Sequence, residues 1–145
     1  MATLRRVNVE IDEIMRHPVM TAQPHQTIGH VRGVMAKHKV SAMPVVNTDE
    51  EPVGIVTATD LLDDHPEGAP INGIMSEPVY TVARYDGPHI AARVMRNHHL
   101  HHVVVTEHKR VVGIVSAYDL LRLVEDHRFT AKRGPTQSKK GNRKR

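Results

Sequence analysis

The sequence predicts an α/β fold (α+β in its segregation), built from two β-α-β-β-α repeats packed about a pseudo-two-fold axis. Two observations carry this. Ile14-Met15-x-x-Pro18-Val19-x-Thr21 returns as Ile74-Met75-x-x-Pro78-Val79-x-Thr81, and Gly54-Ile55-Val56-Thr57-Ala58-Thr59-Asp60-Leu61-Leu62 returns as Gly113-Ile114-Val115-Ser116-Ala117-Tyr118-Asp119-Leu120-Leu121. The spacing is 60 in the first stretch and 59 in the second, so one residue is missing from a loop between Thr106 and Val111 relative to the loop between Val46 and Pro52. An internal repeat fixes architecture before any single motif does, and two copies suggest a packed pair with duplicated clefts rather than a solenoid.

Each element follows from local pattern. In the first copy, Val19–Ala22 reads as a short strand, and Thr27 opens a helix with Ile28, Val31, Val34 and Met35 at helical spacing. Val40–Asn47, carrying Pro44, reads as a strand. Asn47-Thr48-Asp49-Glu50-Glu51 is a turn, and Pro52–Thr57 is a second strand. Thr57 is then expected to cap a helix through Leu61 and Leu62. In the second copy, Val79–Val82 is the strand. A helix starts at Asp86-Gly87-Pro88, with proline near its first turn, and runs through Ile90, Ala91, Val94 and Met95. His102–Thr106 and Val111–Ser116 form a hairpin, and a last helix starts after Ser116. The strands Val53–Val56 and Val111–Val115 are apolar on both faces and want cover on both sides. The expected organisation is an N-terminal extension and first repeat over 1–64, a linker over 65–71 with Pro66, Gly68 and Pro70, a second repeat over 72–131, and a tail over 132–145.

Bulk composition narrows the function classes. A length of 145 residues is one ordinary domain, able to bury roughly two thirds of its unfolded surface. With one Phe, three Tyr and no Trp, the core must be aliphatic and methionine-rich. Met35 and Met95 fit packing positions, whereas Met20 and Met43 are candidates for a cleft wall. The absence of cysteine excludes disulfides and thiolate chemistry, and suits a reducing cytoplasm. No apolar run approaches the roughly 18 residues of a membrane span, and no signal-peptide pattern opens the chain, so a cytoplasmic protein without a membrane partner is expected. The net charge of +4 is uneven. Lys132, Arg133, Lys139, Lys140, Arg143, Lys144 and Arg145 supply seven positive charges, and taking these from +4 leaves the rest of the chain at −3. The tail's composition predicts disorder. It reads either as an arm for nucleic acid or another polyanion, with the repeats as dimeriser, or as a solubilising terminus. It has no aromatics to stack on bases.

The stretches Thr57-x-x-Asp60 and Ser116-x-x-Asp119 admit two uses. Each is a capping box, in which a hydroxyl and an acid three residues on satisfy free N–H groups. Each also places an ionised carboxylate at a helix start, a double acceptor suited to the vicinal hydroxyls of a ribose, beside N–H groups that favour a phosphate. Both uses can coexist because a carboxylate has two oxygens. Gly54 and Gly113 lie inside apolar strands and mark either a close approach or a bulge. No nucleophile–base pair or Gly-rich phosphate loop appears, so no enzyme is expected.

Together, the repeat order, the openings Ile14-Met15 and Ile74-Met75, the run Val40-Ser41-Ala42-Met43-Pro44-Val45-Val46 and the two Gly-led stretches resemble a tandem pair of CBS domains (cystathionine-β-synthase type, a Bateman module) over about residues 10–127. The resemblance implies a stand-alone, non-catalytic regulatory module. Such a module binds AMP, ADP, ATP or a related adenosyl compound between its repeats, forms a homodimer, and modulates a partner protein that the sequence does not name. It implies Asp60 and Asp119 on ribose, with Thr57 and Ser116 near the α-phosphate. One cleft would join Asp60 and Thr57 to Ser76, Tyr80 and His101 or His102. The other would join Asp119 and Ser116 to Met20, Val40, Ser41 and Ala42. Arg16 stands where the second copy has Ser76, a departure that either disturbs adenine or supplies a cation for phosphate. His101-His102 replaces Ser41-Ala42, and the dense run His98–His102 reads as anion binding, metal binding or solvated histidines. The clefts should therefore be unequal, with the Asp60 cleft expected to be the better equipped for phosphate.

Overall fold

The computed structural model describes residues 8–130. The first repeat contains α1 (Ile28–His38) and the antiparallel pair β1 (Ala42–Val46) and β2 (Pro52–Thr57). The second contains β3 (Thr81–Ala83), α2 (Pro88–His98), β4 (His102–Glu107), β5 (Arg110–Ser116) and α3 (Ala117–Asp126). Here β3 runs parallel to β4, and β4 antiparallel to β5. Single 3₁₀ turns, Ile11–Glu13 and Ile71–Gly73, precede the two repeats. The basic tail lies outside the described residues.

Local chemistry accounts for the helices. The Thr27 hydroxyl accepts from the His30 N–H at 3.1 Å and starts α1, which buries Ile28, Val31 and Met35. Pro88 sits in the first turn of α2, which buries Ala91 and Met95. Both helices end on left-handed residues at matching positions, Lys39 and His99, each at φ 56°. Ser116 starts α3 with a reciprocal box to Asp119.

Two expectations are corrected. The helix expected after Thr57 does not form, and residues 58–62 make successive turns instead. The Thr57–Asp60 box is present, but Asp63 and Asp64 follow where a helix C-terminus disfavours acids, and Pro66 blocks extension. In the second repeat the same positions continue as Arg122-Leu123, and the helix runs on. The strand expected at Val19–Ala22 reduces to one parallel bridge, Ala22 with Val45. Pro44 explains this. Ala22 donates to the Pro44 carbonyl at 3.0 Å, and Val46 donates to Ala22 at 2.8 Å, so that edge of β1 faces the segment. Pro44 has no N–H to extend the ladder toward Met20. Its counterpart Val104 donates to the Tyr80 carbonyl at 3.3 Å, and there the strand β3 forms.

The two cores are completed crosswise. The first gathers Ile28, Val31, Met35, Met43, Val45, Val56 and Leu61 with Ile71, which precedes the second repeat. The other gathers Val82, Ala91, Met95, Val103, Val105 and Val115 with Ile11 and Met15, which precede the first. Backbone pairs fasten each crossing. Arg16 and Ile114 exchange bonds of 2.8 and 3.2 Å, as do Ser76 and Ile55. Arg84 adds an ionic clasp, donating to Asp12 in the leading 3₁₀ turn and to Glu107 in β4.

Gly54 and Gly113 are the points of crossing. A Cβ on Gly54 would lie 2.6 Å from Met75 Sδ, and one on Gly113 2.5 Å from Met15 Sδ and 2.9 Å from the Arg16 carbonyl oxygen. Close approach is therefore the reason for glycine. The register shift falls beside it, between Val45 and Val46 and between Val105 and Thr106.

Candidate functional site

The crossing of the N-terminal lead onto β5 opens a cleft of about 1090 Å³. Its floor is the end of β5 and the start of α3, with Ile114, Ser116, Ala117 and Asp119. One wall is the segment from Ile14 to Met20, and another the run His38–Ala42 after α1. Because Pro44 offers no bond toward Met20, that wall stays irregular backbone, and Met20 is 37% exposed beside the cleft.

Asp119 organises the floor. It is the one buried charged residue among those described, at 5% exposure. Its Oδ2 accepts from the Ser116 N–H at 2.8 Å and the Ser116 hydroxyl at 3.0 Å, and its own N–H donates to Ser116 Oγ at 3.1 Å. The other oxygen, Oδ1, is not used by the cap. Two guanidiniums flank it at long range, Arg16 Nε at 4.0 Å and Arg122 Nη2 at 3.8 Å. Both arginine side chains are about two-thirds exposed, so neither is committed to a tight ion pair. The carboxylate thus has one oxygen fixed by the fold and one turned to incoming donors, with positive charge on either side.

His102 lies across from it. Its Nε2 is 3.2 Å from Ser41 Oγ, a bond that joins the two repeats. Burial pushes the imidazole below its ordinary value; His101 and Arg16 push the same way, while Asp119 opposes them. This histidine is therefore mostly neutral near pH 7.

The structure brings together Arg16, Met20, Val40, Ser41, Ala42, Ser116 and Asp119 on this cleft. His101 and His102, expected with Asp60, also line this cleft. The reason is the location of β1 and β4, whose first residues Ala42 and His102 lie close enough for Ser41 to reach His102 across the repeat boundary. Thr57, Asp60, Ser76 and Tyr80 do not line it. Asp60 repeats the box geometry, with Oδ2 accepting from the Thr57 N–H at 2.8 Å and its hydroxyl at 3.2 Å. Ser76 pairs through its backbone with Ile55, and the Tyr80 ring stacks on His98 with centroids 3.9 Å apart. Met20 and His38, the counterparts of Tyr80 and His98, both line the large cleft. The Asp119 cleft is thus both roomy and cationic, with Arg16, Lys39 and Arg122 on its lining. Among the described residues no three His, Asp or Glu side chains gather as a metal site.

Sequence reasoning passed over Lys39, Tyr118 and Arg122, which also line the cleft. Arg122 had a signal. It stands three residues after Asp119, on the same helix face.

The fold defines a two-repeat module with a cleft between its halves, and comparison with known proteins gives its family. Residues 11–66 and 71–126 each match the CBS domain model, so the chain belongs to the CBS domain family as a tandem pair. It is similar to the CBS domain pair of protein MJ0100, solved in complex with 5′-methylthioadenosine and S-adenosyl-L-methionine. The TM-score is 0.75 and the identity 26%, over 82% of this chain and 98% of that one. An uncharacterized conserved protein from Pyrococcus horikoshii shares the fold, with a TM-score of 0.73 at 23% identity over 88% of this chain and all of that one. An uncharacterized protein of Methanopyrus kandleri is 28% identical over 123 residues, 80% of this chain and 63% of the relative. The chain spans only 32% and 25% of two further curated relatives. No helix among the described residues is long and apolar enough to cross a membrane.

Proposed function

We propose that this CBS pair is a regulatory module that takes an adenine nucleotide (AMP, ADP or ATP) or a related adenosyl compound in the Asp119 cleft and changes a partner's activity when occupied. The observation that carries this reading is the divided use of Asp119. A structural cap needs one oxygen, and the fold leaves the other facing a cleft large enough for a nucleoside. Ribose supplies paired hydroxyl donors for that oxygen. Ile14, Met20, Val40 and Ala42 supply apolar surface for a base. The first turn of the ten-residue α3 lines the floor, and a helix N-terminus there favours an anion. The adenosyl ligands of the MJ0100 pair support the ligand class.

Calorimetric titration with a panel of adenine nucleotides and adenosyl compounds tests the reading. Saturable binding that Asp119→Ala abolishes is expected, and a ligand at a hundred times its dissociation constant should stabilise the protein by about 2.7 kcal/mol. Absence of both heat and a melting shift across the panel refutes it.

A homodimer accompanies this proposal. Tyr118, Leu121 and Val124 leave an apolar stripe of α3 exposed, and Leu62 is 81% exposed. Sedimentation of the wild type should give a dimer that Val124→Asp with Leu62→Asp dissociates; a wild-type monomer at tens of micromolar concentration removes the idea.

A further inference from the structure

The two halves of the molecule carry opposite charge at matching positions. Around Asp119 the cleft presents Arg16, Lys39 and Arg122. Read through the internal repeat, the counterparts are Ser76 for Arg16, His99 for Lys39 and Asp63 for Arg122. His17, also on the cleft wall, has Glu77 as its counterpart. So the Asp119 half holds three full cations against one carboxylate, while the matching positions of the Asp60 half hold Asp60, Asp63 and Glu77 with no lysine or arginine.

Geometry gives this difference an effect. The Arg16 backbone is pinned to Ile114 by two hydrogen bonds, which fixes where its side chain leaves the wall. Arg122 is set by α3, one turn beyond the capped Asp119. Their guanidiniums stand 4.0 and 3.8 Å from the same oxygen, Oδ1, and remain largely exposed. At those distances each keeps N–H donors free for another acceptor. An anion between them meets two charge-assisted forks, whereas a sulfonium or ammonium group meets like charge.

We infer that the Asp119 cleft selects adenosyl ligands by charge, taking one phosphate-bearing nucleotide per chain in preference to neutral or cationic adenosyl compounds, with Arg16 and Arg122 as the specificity-determining residues. The inference rests on the adenosyl reading above and narrows it. The Asp60 half is less suited to the same ligand: its acids Asp60, Asp63 and Glu77 repel phosphate, and Tyr80 stacks on His98 where the Asp119 cleft has Met20 and His38.

Titration calorimetry of the full chain against ATP, AMP, 5′-methylthioadenosine and S-adenosylmethionine tests this, with inorganic tripolyphosphate as a nucleoside-free probe. ATP is expected to bind about tenfold or more tightly than 5′-methylthioadenosine, with S-adenosylmethionine weakest and one ATP per chain. Exchanging in the other half's residues, Arg16→Ser with Arg122→Asp, should bring ATP to or below the level of 5′-methylthioadenosine. 5′-Methylthioadenosine should lose less affinity than ATP. A melting temperature close to wild type, expected for exposed side chains, shows that the variant is folded. Equal affinity for ATP and 5′-methylthioadenosine overturns charge selection and leaves the adenosyl reading standing. Two ATP per chain overturns the preference for the Asp119 half. Binding of tripolyphosphate without any adenosyl compound defeats the adenosyl reading and keeps the anion selection. No binding by any probe defeats both.

Discussion

Substituting Gly113 by alanine tests the crosswise packing on which the cleft depends. The new methyl would lie 2.5 Å from Met15 Sδ, 3.0 Å from Met15 Cγ and 2.9 Å from the Arg16 carbonyl oxygen. Ordinary carbon contacts sit at about 3.5–4.0 Å, so the overlap approaches 1 Å. Met15 is 7% exposed and has little room to swing away, and the Arg16 carbonyl is held by the Ile114 N–H. Overpacking of this kind costs about 1–3 kcal/mol, offset by the roughly 0.5–1 kcal/mol that alanine gains over glycine in a strand. A net loss of about 1–2 kcal/mol is expected, several degrees in melting temperature for a domain of this size. Gly54→Ala should cost less. There the nearest backbone oxygen, that of Ser76, is 3.2 Å away, and the tighter contacts at 2.6 and 2.9 Å are to the flexible Met75 side chain. Gly33→Ala is the control: nothing lies within 4 Å of its Cβ on an exposed face of α1, so it should stabilise by about 0.5–1 kcal/mol. Urea unfolding followed by circular dichroism gives all three values. A Gly113→Ala protein as stable as wild type, or a Gly54→Ala protein that loses more, refutes the ranking and the tight crossing behind it.

Other perturbations separate the remaining roles. Asp119→Ala should lose about 1–2 kcal/mol from the Ser116 cap along with ligand binding; Asp60→Ala should lose part of that stability and keep the binding. Equal loss of binding in both would show the halves to be equivalent. His102 titrates below its ordinary value when folded, chiefly through burial, so the unfolded chain takes up the proton first. Stability is therefore unaffected well above about pH 6.5 and falls as pH drops from there toward the folded value. His102→Gln should flatten the decline in melting temperature between about pH 6.5 and 5; parallel curves for the two proteins would show that His102 is not its source. Val104→Pro should remove the 3.3 Å bond to Tyr80 and cost about 1–3 kcal/mol. Amide exchange should show β3 loosened, and unchanged protection there would argue against proline as the cause of the asymmetric strands.

Much of the fold was legible because its signals are local. Thr27 with Ile28, Val31 and Met35 specifies α1 within a dozen residues, and Val103–Val105 against Val111–Val115 specifies the hairpin. The carboxylate-and-hydroxyl boxes were also readable, since both partners lie three residues apart. What pattern reading missed depends on longer reach. That Pro44 would reduce a strand to a bridge follows from which edge of β1 its missing N–H faces, a matter of pairing rather than propensity. The helix lost after Thr57 shows a cap without a following sequence that can propagate it. That His101 and His102 line the Asp119 cleft was not legible, because the repeat register gives equivalence between halves, not distance across their boundary. Charge asymmetry was present in the sequence all along, yet it acquires meaning only once Arg16 and Arg122 are seen to flank one oxygen of Asp119.

The crosswise completion of the cores also separates the unit that was duplicated from the unit that can fold. A ribosome releases Ile11 and Met15 first, but the strands and helix they seal, from Val82 to Val115, come up to about a hundred residues later. The first repeat has its own missing piece, Ile71, much sooner. Synthesis should thus produce a nearly complete first half trailing an unsatisfied apolar leader, which docks only when the last hairpin emerges. Closing so long a loop slows folding, and it makes the Arg16–Ile114 pairing a final step. The wall that carries Arg16 is then assembled last, so a chain cut short before β5 never presents the cleft at all.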